Sequence, residues 1–180
     1  MTRYRGIWFA ALAIMGCHAS AAGYSAASTP LRSAGLVGTW HLLSRIDLDS
    51  VGGVRTEPVL GNHPLATLIY DRAGHVAAQL MARDRVPADC GRTTATDPNN
   101  STYICRYDAY FGRYEVTYRA DSSAGTVTHI FVGALAPSDV GRRVTREFQL
   151  AGDTLTIRFA ARGPTNEPVT RTLVWQRVSP

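Results

Sequence analysis

The stretch AGLVGTWHLLSRIDL, residues 34 to 48, decides the fold. Its apolar side chains fall at even positions, Leu36, Trp40, Leu42, Ile46 and Leu48, while Thr39, His41, Arg45 and Asp47 take odd ones. A period of two means an extended chain with one face turned to a core and the other to water. This reading places Ile46 and Leu48 inside and Arg45 and Asp47 outside. So long an opening strand, with Trp40 near its start, suits a closed barrel.

The rest of the chain keeps the same period. VRTEPVL (54–60) is a short piece that Pro58 confines to an edge or an irregular segment. LATLIYDRAGHVAAQLM (65–81) reads as two strands about the turn Asp71 to Gly74. FGRYEVTYRADSSAGTVTHIFVGAL (111–135) is a hairpin, and VTREFQLAGDTLTIRFA (144–160) a tighter one, with Gly152 and Asp153 in a two-residue turn. VTRTLVWQRV (169–178) closes the chain, and helical patterning is nearly absent. The expected fold is therefore all-β. It is an eight- to nine-stranded antiparallel up-and-down barrel, whose closure removes exposed edges and leaves room for about one small ligand. A two-sheet sandwich is the alternative.

Residues 1–21 read as a signal peptide, with Arg3 and Arg5 ahead of the apolar run IWFAALAIMG and the small residues Ala19 to Ala21 behind it. A second reading makes Cys17 the lipid-bearing residue of a lipoprotein signal, which would anchor the chain to a membrane. Residues 22–34 form a flexible tether, and 35–180 the barrel domain. Either reading of the leader places the mature protein in the periplasm or outside the cell.

Without Arg3 and Arg5 the formal charge of +5 falls to +3, and the basic residues are scattered. Nucleic-acid binding needs a patch that meets many phosphates at once, so it is not expected. All nineteen basic residues are arginine, which excludes Schiff-base chemistry and a lysine general base. Cys90 and Cys105 are the pair left in the mature chain, and in an oxidising compartment they are expected to form a disulfide across the polar loop 83–103. A reactive thiol or a metal pair is the alternative, without a Cys-x-x-Cys motif or a neighbouring histidine to favour it. No metal-ligand spacing, G-x-S-x-G elbow or phosphate-binding glycine loop occurs. Neither a metal nor a cofactor is expected.

Gly38-Thr39-Trp40, ATLIYDRAGHVAAQLM, YFGRYEV, GTVTHIFVGAL, VTREFQLAGDTLTI and the closing LVWQR together resemble the lipocalin-like domain family. These are compact antiparallel barrels found in exported bacterial and in fungal proteins, some encoded beside biosynthetic gene clusters. The similarity covers essentially the whole mature domain. It implies that Trp40 plugs the closed end of the barrel with Arg177 lying across it, a cation–π contact worth about 0.5–2 kcal/mol. The family lends no uniform activity. The Cys90–Cys105 loop and the leader are additions to its pattern.

Polar residues on the inward parity are the candidates for a site, because each costs free energy unless it has a partner. Arg146 shares parity with Val144, Phe148 and Leu150, so it needs an internal acid, an aromatic face or an anionic ligand. His129 shares parity with Val127 and Phe131, as a core histidine or as a group that orients a ligand. Tyr114 and Tyr118 are placed along one wall, as core filling or ligand contacts. Gln79 sits on a strand whose inward face is ambiguous.

Three functions are consistent with this pattern. One is an exported binding protein that holds a small, mostly apolar ligand inside the barrel, acidic where Arg146 anchors it. Another is a filled barrel that serves as a structural or interaction module of the cell envelope. The third, with least support, is an isomerase or cyclase acting on a hydrophobic biosynthetic intermediate.

Overall fold

The computed structural model describes residues 35–90, 93–94 and 103–179. The signal peptide 1–21, the tether 22–34 and Cys17 lie outside the described residues. The described strands are β1 (Gly38–Asp49), β2 (Val54–Arg55), β3 (Leu65–Tyr70), β4 (His75–Met81), β5 (Thr93–Thr94), β6 (Tyr103–Ile104), β7 (Tyr107–Tyr118), β8 (Ala124–Ala134), β9 (Arg143–Ala151), β10 (Thr154–Arg162) and β11 (Pro168–Ser179). Eight of them follow one another round in the order β4-β3-β1-β11-β10-β9-β8-β7, and β7 pairs back onto β4. Every ladder is antiparallel, so the barrel is a closed meander, with β2, β5 and β6 as two-residue additions outside the ring. The first and last strands meet in register, from Thr39↔Ser179 to Asp49↔Val169.

The opening strand departs from its predicted parity. A bulge between Leu42 and Ser44 adds one residue against β11, and one extra residue moves every later side chain to the other face. Trp40 is buried as expected, but beyond the bulge Arg45 and Asp47 are buried, each 2% exposed, while Ile46 and Leu48 stand 44% and 36% exposed. The expectation that Ile46 and Leu48 face the core and Arg45 and Asp47 face water is therefore corrected. Past its midpoint this barrel has an ionic interior.

The β1–β11 ladder also shifts between Thr39 and Trp40, and a third irregularity lies in β7, between Phe111 and Gly112. A Cβ on Gly112 would stand 1.9 Å from the carbonyl oxygen of Ile130 on β8, so only glycine lets the two backbones approach this closely.

The two ends of the barrel differ. At one, Leu36, Trp40, Leu155 and Trp175 pack together. Trp40 Nε1 donates to the Leu36 carbonyl at 2.9 Å, and the Arg177 guanidinium lies 4.0 Å from the Trp40 ring centre. Arg177 also donates to the carbonyls of Gly35, at 2.6 Å, and Val37. Together these contacts bring Trp40 and Arg177 into the packing that the resemblance implied.

The other end is covered by the segment after β2 and by Tyr103. Leu60, Ala82 and Tyr103 form a small second core there. Arg106 staples it, donating to the Val59 carbonyl and to Asp84, both at 2.8 Å, and pairing with Asp89 at 3.5 Å. Cys90 and Cys105 are bonded, which fulfils the expected pairing. Closing a loop of this size stabilises by about 3 kcal/mol in the chain-entropy account. Replacing both cysteines with serine is expected to lower the unfolding free energy by about that amount in urea titrations, and reducing the wild-type protein should reproduce the loss.

Candidate functional site

Of the interior polar residues, Arg45 and Asp47 on β1 and Arg171 on β11 belong to an ionic cluster under the lid. Arg171 holds Asp47 bidentately, Nε to Oδ1 at 2.8 Å and Nη2 to Oδ2 at 2.6 Å. Burial works against the Arg171 charge, but the hydrogen bonds to Asp47 outweigh it and leave the pKa above its ordinary value. Arg45 lies 3.4 Å from Glu57 and 3.4 Å from the Tyr103 hydroxyl. Glu57 in turn accepts the Leu60 backbone N–H at 2.5 Å, so this cluster ties the lid to the barrel wall. Each arginine faces a carboxylate within the cluster, while Arg45 Nε and Nη1 make no hydrogen bond among the described residues.

Between the cluster and the plug lies a cavity of about 40 Å³. Arg146, His129, Tyr110, Asp108, Phe159 and Trp175 contribute to its walls, with aliphatic side chains between them. That volume holds two or three waters, or one small polar head group.

Arg146 is inward, as its parity predicted, and 5% exposed. Its guanidinium lies 4.7 Å from the Phe159 ring centre and reaches the Val144 carbonyl at the edge of hydrogen-bond range, 3.5 Å. No carboxylate of the described residues pairs with it. A buried guanidinium held only by a ring face and a distant carbonyl is poorly compensated. Asp108 lines the same cavity.

His129 is fully enclosed between two tyrosines. Its Nε2 is 2.7 Å from the Tyr70 hydroxyl and its Nδ1 is 2.9 Å from the Tyr110 hydroxyl. Burial, with Arg146 nearby, holds its pKa well below the ordinary histidine range, so the ring is neutral. A neutral imidazole donates from one nitrogen and accepts at the other. The two contacts use two of the three available protons, and the third must point elsewhere. Tyr70 has no other polar partner among the described residues, whereas Tyr110 lines the cavity. We therefore assign the Tyr70 O–H as donor to Nε2 and Nδ1–H as donor to Tyr110, whose own O–H is then directed into the cavity. The opposite tautomer would strand a buried hydroxyl proton at a cost of about 1–3 kcal/mol. Burial pushes the Tyr110 pKa up to about 12, against a lowering by Arg146, so the hydroxyl keeps its proton.

Trp175 adds a third donor, because its buried indole Nε1–H has no acceptor among the described residues. The cavity walls thus include a guanidinium, a phenol, an indole and the Asp108 carboxylate, around a space the size of a carboxylate.

The remaining sequence candidates do not meet there. Gln79 is on the outer face of β4, exposed, and its placement in a ligand site is corrected: Val76, Ala78 and Leu80 are the inward set. Tyr114 is interior, but its hydroxyl donates to the Asp71 carbonyl at 2.9 Å and its ring packs edge-on against Tyr70. Tyr118 lies beside Phe148 toward the plug. Sequence reasoning passed over Tyr70 and Tyr110 as site residues, and missed Asp108 and Trp175. For Tyr110 a signal existed, since it shares parity with Tyr114 and Tyr118 four and eight positions on. No group of three or more His, Cys, Asp or Glu side chains arranged for a metal occurs among the described residues.

The buried histidine makes a measurable difference at acid pH. Unfolded, a histidine takes up a proton as pH falls through about 6.5, while folded His129 remains neutral well below that. Across this window the unfolded chain binds more protons, so stability falls as pH falls, by about 1.4 kcal/mol per unit. Between about pH 6.5 and 5 the wild type is expected to lose roughly 2 kcal/mol that His129→Gln does not lose, read as the difference between their urea midpoints.

A closed eight-stranded antiparallel meander is the fold that the family comparison also points to. No curated protein matches the chain. A family model described as lipocalin-like domain matches residues 37–178, nearly all of the barrel, and such a domain fits a ligand-binding role. The chain belongs to the lipocalin-like domain family.

Proposed function

We propose that this protein is an exported binding protein for a small, mostly apolar organic acid, whose acid group sits in the cavity against Arg146, Tyr110 and Trp175. The observation that carries the reading is the 5% exposed Arg146, without a carboxylate partner among the described residues and lining a cavity with two further donors in its walls. An oxyanion there gains charge-assisted hydrogen bonds in surroundings that exclude most water. The leader at 1–21 supports a periplasmic or secreted location, with a lipid anchor at Cys17 as the variant reading.

The test is native mass spectrometry of protein purified gently from its host. Wild type is expected to carry a small acid and Arg146→Leu to release it. Losing one charge-assisted bond costs about 1.5–3 kcal/mol, or roughly 10- to 100-fold in affinity. A wild type without cargo that also fails to bind added decanoate overturns the reading.

A filled barrel acting as an envelope interaction module draws on the same cavity, since about 40 Å³ is far below the 300 Å³ or more of an ordinary small-molecule site. It predicts that Arg146→Leu leaves every binding measurement unchanged.

A further inference from the structure

The barrel wall is incomplete at one place. The β9–β10 ladder runs from Thr154↔Ala151 to Arg158↔Glu147 and stops. Both strands continue: β9 stays paired with β8 as far as Ile130↔Arg143, and β10 stays paired with β11 as far as Arg162↔Pro168. Continuing the register would set Phe159 opposite Arg146 and Ala160 opposite Thr145, and neither pair forms. The two strands therefore part over the first four residues of β9 and the last four of β10, leaving a notch that runs from the lidded end down one side to the Arg158–Glu147 rung.

A groove of about 460 Å³ follows this notch, with Thr145, Arg146, Arg158, Phe159, Ala160 and Thr170 among its walls. Arg146 and Phe159 also line the interior cavity, so the two spaces share a boundary. The lidded end, by contrast, is closed by Leu60, Ala82 and Tyr103 and by the buried pairs Arg45–Glu57 and Arg171–Asp47. The plug closes the opposite end.

We propose that the ligand reaches Arg146 sideways, through the β9–β10 notch, and that it is an elongated acid whose acid group enters the cavity while its body stays in the groove. This inference rests on the binding function proposed above. It follows from the two volumes, since the interior accepts a head group and no more, whereas the groove outside it is more than ten times larger. The walls set the chemistry of the body: Phe159 and Ala160 offer apolar contact, and Thr145, Thr170 and Arg158 offer hydrogen bonds, with the Glu147 carboxylate among them. A body with both apolar and oxygenated parts and no second negative charge matches those walls.

The test uses the full chain and a fluorescent probe, dansylaminoundecanoate, followed by stopped-flow binding. Thr145→Trp and Ala160→Trp fill the groove from the outer face and leave the interior residues in place, and Ala160→Ser is the control without bulk. The tryptophan variants are expected to slow association by about tenfold or more and to weaken binding, while Ala160→Ser behaves as wild type. The methyl ester of the probe should bind all variants poorly. If both folded tryptophan variants bind at the wild-type rate while Arg146→Leu does not bind, the side route is overturned and the interior acid site stands. If Arg106→Gln, which loosens the lid, speeds association and the tryptophans do not slow it, access is through the lidded end and the proposal is wrong. A wild type blind to the probe overturns the side route together with the binding function.

Discussion

Asp47→Ala is expected to lower the unfolding free energy by about 3–5 kcal/mol, one of the two largest effects of any single substitution considered for this protein. The loss comes from what the substitution leaves behind. Arg171 is 3% exposed and its guanidinium is held by both Asp47 oxygens, at 2.8 and 2.6 Å. With Asp47 gone, its nearest aromatic support is the Phe159 ring at 5.8 Å, which does not replace a bidentate carboxylate. The charge cannot be shed either, because a guanidinium does not deprotonate in the accessible pH range. Removing both partners, as in Asp47→Leu with Arg171→Met, leaves no stranded charge and is expected to recover most of the loss. Urea midpoints of the two single variants and the double variant check this. A single variant within about 1 kcal/mol of wild type would show that water already reaches the pair.

Trp40→Ala is the second. The side chain is fully buried, and its removal takes away the largest apolar surface of the plug together with the Nε1–H bond to Leu36. Large-to-small changes of this kind cost about 3–5 kcal/mol, according to how far the site collapses. Collapse is restricted here, because Arg177 is tied to the carbonyls of Gly35 and Val37 and to Asp153, at 3.4 Å, and cannot move into the space. Trp40→Phe keeps an aromatic face under the guanidinium and should lose markedly less, while Arg177→Ala should lose about 0.5–2 kcal/mol from the cation–π contact alone. Thermal unfolding of the three variants gives the order, and a Trp40→Ala loss no greater than that of Arg177→Ala would contradict the plug.

The architecture was legible because alternation is written into almost every strand and the turns carry their own residues. Asp71 to Gly74 and Gly152-Asp153 fall where the hairpins turn, with Gly152 at a φ of 57° that glycine adopts without strain. The plug was legible through resemblance, and Arg146 and His129 through parity. The second half of β1 was not, because a period-two reading carries its phase forward until something interrupts it. The one mark of interruption is the doublet Leu42-Leu43, where two apolar residues follow each other and the bulge sits. Everything that depends on that phase was hidden with it: the burial of Arg45 and Asp47, the burial of Glu57 beneath the lid, and the closure of the end where a ligand mouth would be sought. The notch between β9 and β10 leaves no trace in the sequence at all, since both strands alternate cleanly through Arg146 and Phe159 and only the pairing between them ends.

The central claim is that a neutral His129, bonded through Nδ1–H, directs the Tyr110 hydroxyl at an anion held by Arg146. Nitrogen NMR of the imidazole, with decanoate titrated in at about pH 6, reads this directly. The expected spectrum shows a neutral ring protonated at Nδ1, with both nitrogen signals shifting as decanoate saturates and no such shift in Arg146→Leu. An imidazolium at that pH, a proton on Nε2, or signals indifferent to saturating decanoate would contradict it.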